Sequence, residues 1–180
     1  PIIPVRSASL PAVLDALPAS ARDWAGANGF SARGGSWIAL PDAAGGIHAI
    51  LAGIDDADDP HALSGLPGAL PQGRYRLHDT LGERIEPALA VLGWGLGAYR
   101  FDRYKAAPRA PAELVVAPDA SGIDTARAVL DASLRVRDLV NTPSQDMGPE
   151  QLEEATRALA APHGAMVRAI TGDALLAQNF

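Results

Sequence analysis

Cysteine is absent from this 180-residue sequence, lysine occurs once, at Lys105, and aromatic residues make up only 5% of it. Without thiols there is no disulfide, no thiolate nucleophile and no cysteine-ligated zinc, and such a chain suits the reducing cytoplasm. With so few aromatics, a composition that is 48% hydrophobic has to build its core from Leu, Ile, Val and Ala. No run of about 18 apolar residues occurs, so no membrane span is expected. The opening PIIPVRSASLP lacks a basic stretch leading into an apolar segment and a cleavage site, so no secretory leader is expected either. A basic excess is also missing. Fifteen Lys plus Arg against 21 Asp plus Glu leave a formal charge of -6, which argues against nucleic acid as a partner, because nonspecific binding needs cations that displace phosphate counterions. The length suits one domain, or one domain and part of another.

Ile2, Ile3 and Val5 predict a short strand, which Pro4 confines to an edge or an irregular start. Leu10, Val13, Leu14 and Leu17 recur at helical spacing until Pro18, and Ala21, Trp24 and Ala25 resume it before Asn28-Gly29, so two short helices are expected. SWIALP (36–41) and GIHAILAGI (46–54) flank DAAGG, a pattern for a hairpin. In the second run Ile47, Ala49 and Leu51 share one face, and His48, Ile50, Ala52 and Ile54 the other. Both faces are expected to be covered, as in the centre of a layered α/β sheet. DDADDP (55–60) lacks the ligand spacing of a calcium loop, and Asp59-Pro60 predicts instead the start of a helix. GRYRLHD (73–79) alternates like a strand.

GWGLGAYR (93–100) has the look of a phosphate-binding turn, but a dinucleotide fingerprint needs a strand before its glycines and a helix after them. Here Ile85, Leu89, Leu92 and Leu96 run at helical spacing through the glycines. The reading is a helix whose glycines allow a neighbour to approach closely. After it, AYRFDRYK interleaves aromatics with cations, a linker pattern in which the rings pack and the charges stay wet. A strand is expected at Glu113 to Val116 and one continuous helix from Asp124 to Val140. Asp124, Arg127, Asp131, Arg135 and Asp138 line one side of that helix. Ala126, Val129, Leu130, Leu134, Val136 and Val140 line another, with Arg137 among them as an anchor that needs a partner. Past Pro143 the order is helix (Pro149 to Ala161), strand (Met166 to Ile170) and helix (about Asp173 to Gln178). A lone strand needs neighbours for its backbone hydrogen bonds, so this α/β layer is expected to take its partners from chain not included here. The fold class is therefore α/β: an N-terminal mixed sheet flanked by helices (1–120), a long connecting helix (121–143) and the beginning of a second α/β domain (144–180).

No catalytic set stands out. His48, His61, His78 and His163 are far apart and none has metal-ligand spacing, and neither a nucleophile elbow nor a Walker lysine loop occurs. No catalytic, cofactor-binding or metal residue is assigned.

RDLVNTPSQDMGPEQLEEAT, with the later VRAITGDALLAQNF, resembles the start of the peptidase domain of the leucyl aminopeptidase family, whose members read Arg-Asp-Leu-x-Asn-x-Pro, three variable residues, then Met-x-Pro. LGWGLGAYRFDRYK is similar to the segment before the family's interdomain connection. The likeness covers about residues 92–180, and residues 1–80 match loosely. It implies a cytosolic metalloexopeptidase acting on peptide substrates, a homo-oligomer that is hexameric in the family, with two divalent metal ions (Mn or Zn). It also implies an N-terminal domain related to macro domains that serves structure and assembly. The family's metal ligands lie in a lysine- and aspartate-bearing glycine-rich segment and in Asn-Thr-Asp-Ala-Glu-Gly-Arg, neither of which is in this sequence. Lys105 is in the wrong motif, and NTPSQD (141–146) shares only two letters with the second. This segment is therefore expected to bind no metal and to be inactive alone. The alternative reading is a macro-like module that binds a nucleotide or ADP-ribose, resting on GWGLG and on the Pro/Gly-rich stretch from Gly65 to Gly73.

Overall fold

In a computed structural model describing residues 1–180, the apolar residues Ile2–Val5 form strand β1, with every side chain buried. Helices α1 (Leu10–Asp15) and α2 (Ala19–Ala27) follow, parted at Pro18 as their spacing predicts. Strands β2 (Trp37–Pro41) and β3 (Ile47–Gly53) make the expected hairpin. Its DAAGG connection is closed by the Asp42 carboxylate, which accepts hydrogen bonds from Ala44 N–H and Gly46 N–H, both at 2.8 Å. A one-turn helix α3 (Leu66–Ala69), a two-residue strand β4 (Arg74–Tyr75) and helix α4 (Pro87–Ala98) come next, then β5 (Glu113–Leu114) and the 19-residue α5 (Ile123–Asn141). Beyond Pro143 lie α6 (Pro149–Ala160), a 3-10 turn (Ala161–His163) and α7 (Asp173–Ala177). The chain divides into two units, residues 1–134 and 135–180, with the division falling inside α5.

In the first unit β3 is central, antiparallel to β2 and parallel to β1. The alternation along β3 sorts two cores. Ala49 and Leu51 join Ile3, Val5, Leu40 and the α1–α2 residues Val13, Ala21 and Ala25 on one face. Ile50, Ala52 and Ile54 join Ile2, Leu63, Leu66, Leu70 and the α4 residues Ala90 and Trp94 on the other. The two-faced reading is thus correct from Ala49 onward, but Ile47 and His48 at the strand's start are exposed. They lie beside the turn, where neither helical layer reaches.

The segment 73–79 departs further from expectation. Only Arg74–Tyr75 pairs as a strand, parallel to β5, and Leu77 makes a single bridge to Ile2. The chain there passes from one neighbour to the other. Ile2 N–H donates to the Arg76 carbonyl, His78 N–H to the Ile2 carbonyl and Glu83 N–H to the Pro4 carbonyl, each at 2.7 Å. β1 is the outer strand of the three-stranded ladder, as Pro4 requires, yet its outer side is hydrogen-bonded. Pro4 is tolerated because its missing donor would face that side, where the neighbouring chain turns away between residues 79 and 82. Asp59 caps no helix: its carboxylate accepts from His61 N–H at 2.8 Å within a turn, and the helix that follows starts only at Leu66.

Glu83 also ties the turn after β1 to this segment. Its carboxylate accepts from Ser9 Oγ at 2.7 Å and pairs with the Arg6 guanidinium at 3.0 Å. The hydrogen bonds from Arg6 and Ser9 hold the carboxyl below its usual titration range. A carboxylate depressed on folding contributes stability above its unfolded value of about 4.3, and that contribution disappears as pH falls through the lower folded value. Glu83→Gln is expected to melt several degrees below the parent at pH 7. The gap should close below about pH 4, as read from thermal scans across pH.

In the second unit, α6 opens with Pro149 as its first residue, and the Gln151 side chain accepts from Gly148 N–H at 3.1 Å. Glu153 and Arg157 pair at 2.8 Å one turn apart, acid before base, the favourable order along a helix. The expected strand at Met166 to Ile170 is not formed. These residues join no ladder, since no second extended segment adjoins them. Val136, Val140, Leu152, Leu159, Met166 and Leu176 are all exposed, in contrast with the buried apolar residues of the first unit.

Candidate functional site

In sheets with parallel strands, ligand sites gather beyond the strands' carboxyl ends. The loops there are residues 6–9 after β1 and 54–59 after β3. Arg6 of the first loop pairs with Glu83 at 3.0 Å, and Glu83, and to a smaller degree Asp56 of the second loop, raise its pKa. The Asp55 carboxylate lies against Gly34, where a Cβ would collide with it.

A cavity of about 350 Å³ lies nearby, between the end of α2 and the start of β2, bordered by Phe30, Ser31, Arg33, Ser36, Trp37 and Ile38. Its loop is bent by three left-handed residues, Gly29, Ala32 and Gly35, with φ of 65°, 53° and 77°. Ala32 adopts that conformation despite its Cβ, which is wholly buried in the α1–α2 core. The loop is further fixed by Ser7 Oγ, which donates to the Ser31 carbonyl at 2.9 Å, and by Gly35 N–H, which donates to the Gly53 carbonyl at 3.0 Å. The sequence reading passed over this stretch as a connection. Its signal is the clustering of glycines around Arg33 between two aromatics, Phe30 and Trp37.

The residues singled out from the sequence do not meet. His48, His61 and His163 are exposed at separate places, and the Nδ1 of His78 accepts from Thr80 and Leu81 N–H groups at 3.2 and 3.1 Å. Lys105 is exposed in the segment after α4, where Phe101 and Tyr104 pack at 5.8 Å and Arg103 lies over the Tyr104 ring. Arg137 is half-buried on α5. No three carboxylate or imidazole side chains converge to hold a metal ion, so these residues do not fit a two-metal centre. GWGLG lies inside α4, and its glycines serve packing. A Cβ on Gly93 would strike the Pro60 carbonyl, one on Gly97 the Ser64 carbonyl, and one on Gly95 the Leu130 side chain. With these glycines filled by protein, the nucleotide reading loses its main feature.

No helix is long and apolar enough to cross a membrane. A family model described as M17 aminopeptidase, N-terminal domain, matches residues 1–117. A probable cytosol aminopeptidase of Streptomyces coelicolor is 30% identical over 156 residues, covering 70% of this chain and 30% of the relative. The crystal structure of a cytosol aminopeptidase from Coxiella burnetii superposes with a TM-score of 0.87 at 30% identity, over 97% of this chain and 38% of that one. BotP, a bottromycin maturation enzyme solved in complex with Mn, shares the fold with a TM-score of 0.66 at 24% identity, over 91% of this chain and 36% of its own. The chain thus spans about a third of the length of these relatives. The likeness read from residues 92–180 is joined by a family match over the half whose sequence resembled it only loosely, and on that match the chain belongs to the M17 aminopeptidase family and carries its N-terminal domain.

Proposed function

We propose that this chain is the N-terminal segment of a leucyl aminopeptidase-like metalloexopeptidase that releases N-terminal residues from peptides. The observation that carries the reading is the near end-to-end superposition on 38% of a cytosol aminopeptidase. In this reading the two divalent metals, Mn or Zn, and the peptide substrate are held by the remaining part of the parent enzyme, which acts in the cytoplasm. The segment supplies structure and the contacts of a homo-oligomer, a hexamer in the parent. The exposed apolar residues of α5, α6 and the following chain are consistent with surfaces that assembly covers.

The test is an assay of the purified 180-residue chain on leucyl substrates with added Mn or Zn, beside the longest open reading frame that contains it. Turnover by the longer protein and none above background by the segment is expected. Metal-dependent turnover by the segment alone would overturn the assignment.

A further inference from the structure

The outer edge of β2 is closed toward its end and open at its start. The Ser36 carbonyl accepts from Gly53 N–H of the β3 side, so by strand alternation the N–H and C=O of Trp37 and Ala39 point away from the sheet. The bond from the Trp24 indole N–H to the Ala39 carbonyl, at 3.1 Å, shows that direction and occupies that acceptor. Pro41 has no donor to offer. What stays open is the Trp37 N–H and C=O and the Ala39 N–H, beside the cavity bordered by Phe30, Arg33 and Trp37.

We propose that this cavity and the open edge bind the carboxyl-terminal end of a short, extended peptide. Two outward donors against one acceptor, with Arg33 as the only charged residue bordering the cavity, favour an acceptor-rich, anionic occupant. Arg33 precedes the strand, so a peptide running antiparallel to β2 brings its terminal carboxylate to the guanidinium. The peptide residue opposite Trp37 exchanges both backbone hydrogen bonds with it, the geometry of strand addition. Trp37 packs on the α4 face of the sheet and Phe30 on the α1–α2 face, so the side chain of the peptide residue opposite Trp37 meets the indole while Phe30 borders the other side of the edge. The open edge is too short for a long strand or for edge-to-edge pairing of two copies, because Trp24 and Pro41 stop it. The proposal is independent of catalysis by the parent.

The test is a titration of the ¹⁵N-labelled chain with acetyl-Ala-Ala-Leu, blocked so that no aminopeptidase can trim it, and with the same peptide as its C-terminal amide. Saturable amide shifts confined to residues 28–39 are expected, with the free carboxylate binding about tenfold tighter, the effect of one charge-assisted contact. Arg33→Gln, on the surface, should equalise the two ligands. Ala39→Pro, which deletes an outward donor and leaves the β2–β3 ladder intact, should weaken both. Shifts outside this region, no saturation at millimolar peptide, or equal affinity for the two peptides in the parent chain would each overturn the proposal.

Discussion

Trp94→Ala is expected to lower folding stability by about 4 kcal/mol, the upper range for deleting a large buried aromatic. Trp94 is 5% exposed and packs in the same core as Ile50, Ile54, Leu63 and Leu70. It joins α4 to the sheet face while its indole N–H donates to the Ala112 carbonyl at 2.9 Å, just ahead of β5. Trp94→Phe separates the two contributions. It keeps most of the apolar area but leaves the Ala112 carbonyl without its donor, for an expected loss of about 2 kcal/mol. Urea unfolding followed by circular dichroism measures both. A loss under 1 kcal/mol for the alanine variant would show that α4 is not seated on this core.

Gly97→Val is expected to cost about 3 kcal/mol, at the upper end of the usual overpacking range. A side chain there meets the Ser64 backbone carbonyl inside 3.0 Å, closer than Cβ atoms approach their neighbours. A backbone atom cannot rotate away as a side chain can, so either α4 or residues 60–64 must move. The internal control is Gly26→Ala in α2, where an added Cβ meets nothing within 4 Å. Helix propensity alone then acts, and a gain of about 0.5–1 kcal/mol is expected. The pair tests the packing account of GWGLG directly. If Gly97→Val were neutral, the close approach of the two segments would be wrong.

Most of the elements were legible because they follow from local rules. Pro18 parts α1 from α2 through its own geometry, and the hairpin around DAAGG rests on turn residues whose hydrogen bonds are local. The glycine helix was legible because Ile85, Leu89, Leu92 and Leu96 keep helical spacing through it. The misreadings share a cause. GRYRLHD alternates like a strand, but how far it pairs is decided by β5 on one side and β1 on the other, neither of which is near in sequence. AMVRAI has strand composition and no partner. His48 belonged to the right periodicity and the wrong end of its strand, because burial depends on how far the helical layers extend. The cavity around Arg33 was missed outright, since its walls come from the end of a helix and the start of a strand, with a strained turn between them.

Taken alone, the sequence determined the helices α1, α2, α4, α5 and α6, that β3 from Ala49 onward would be buried on both faces, and which family the motif from Arg137 to Pro149 resembles. These depend on periodicity, capping and proline geometry, which act over a few residues. Tertiary structure decided which strands complete their ladders, that the space beside the GWGLG glycines would be filled by the Pro60 and Ser64 carbonyls and the Leu130 side chain, and that Arg33 and the β2 edge would border one cavity. Those outcomes depend on hydrogen bonds and steric contacts between residues distant in sequence, and no local pattern encodes them.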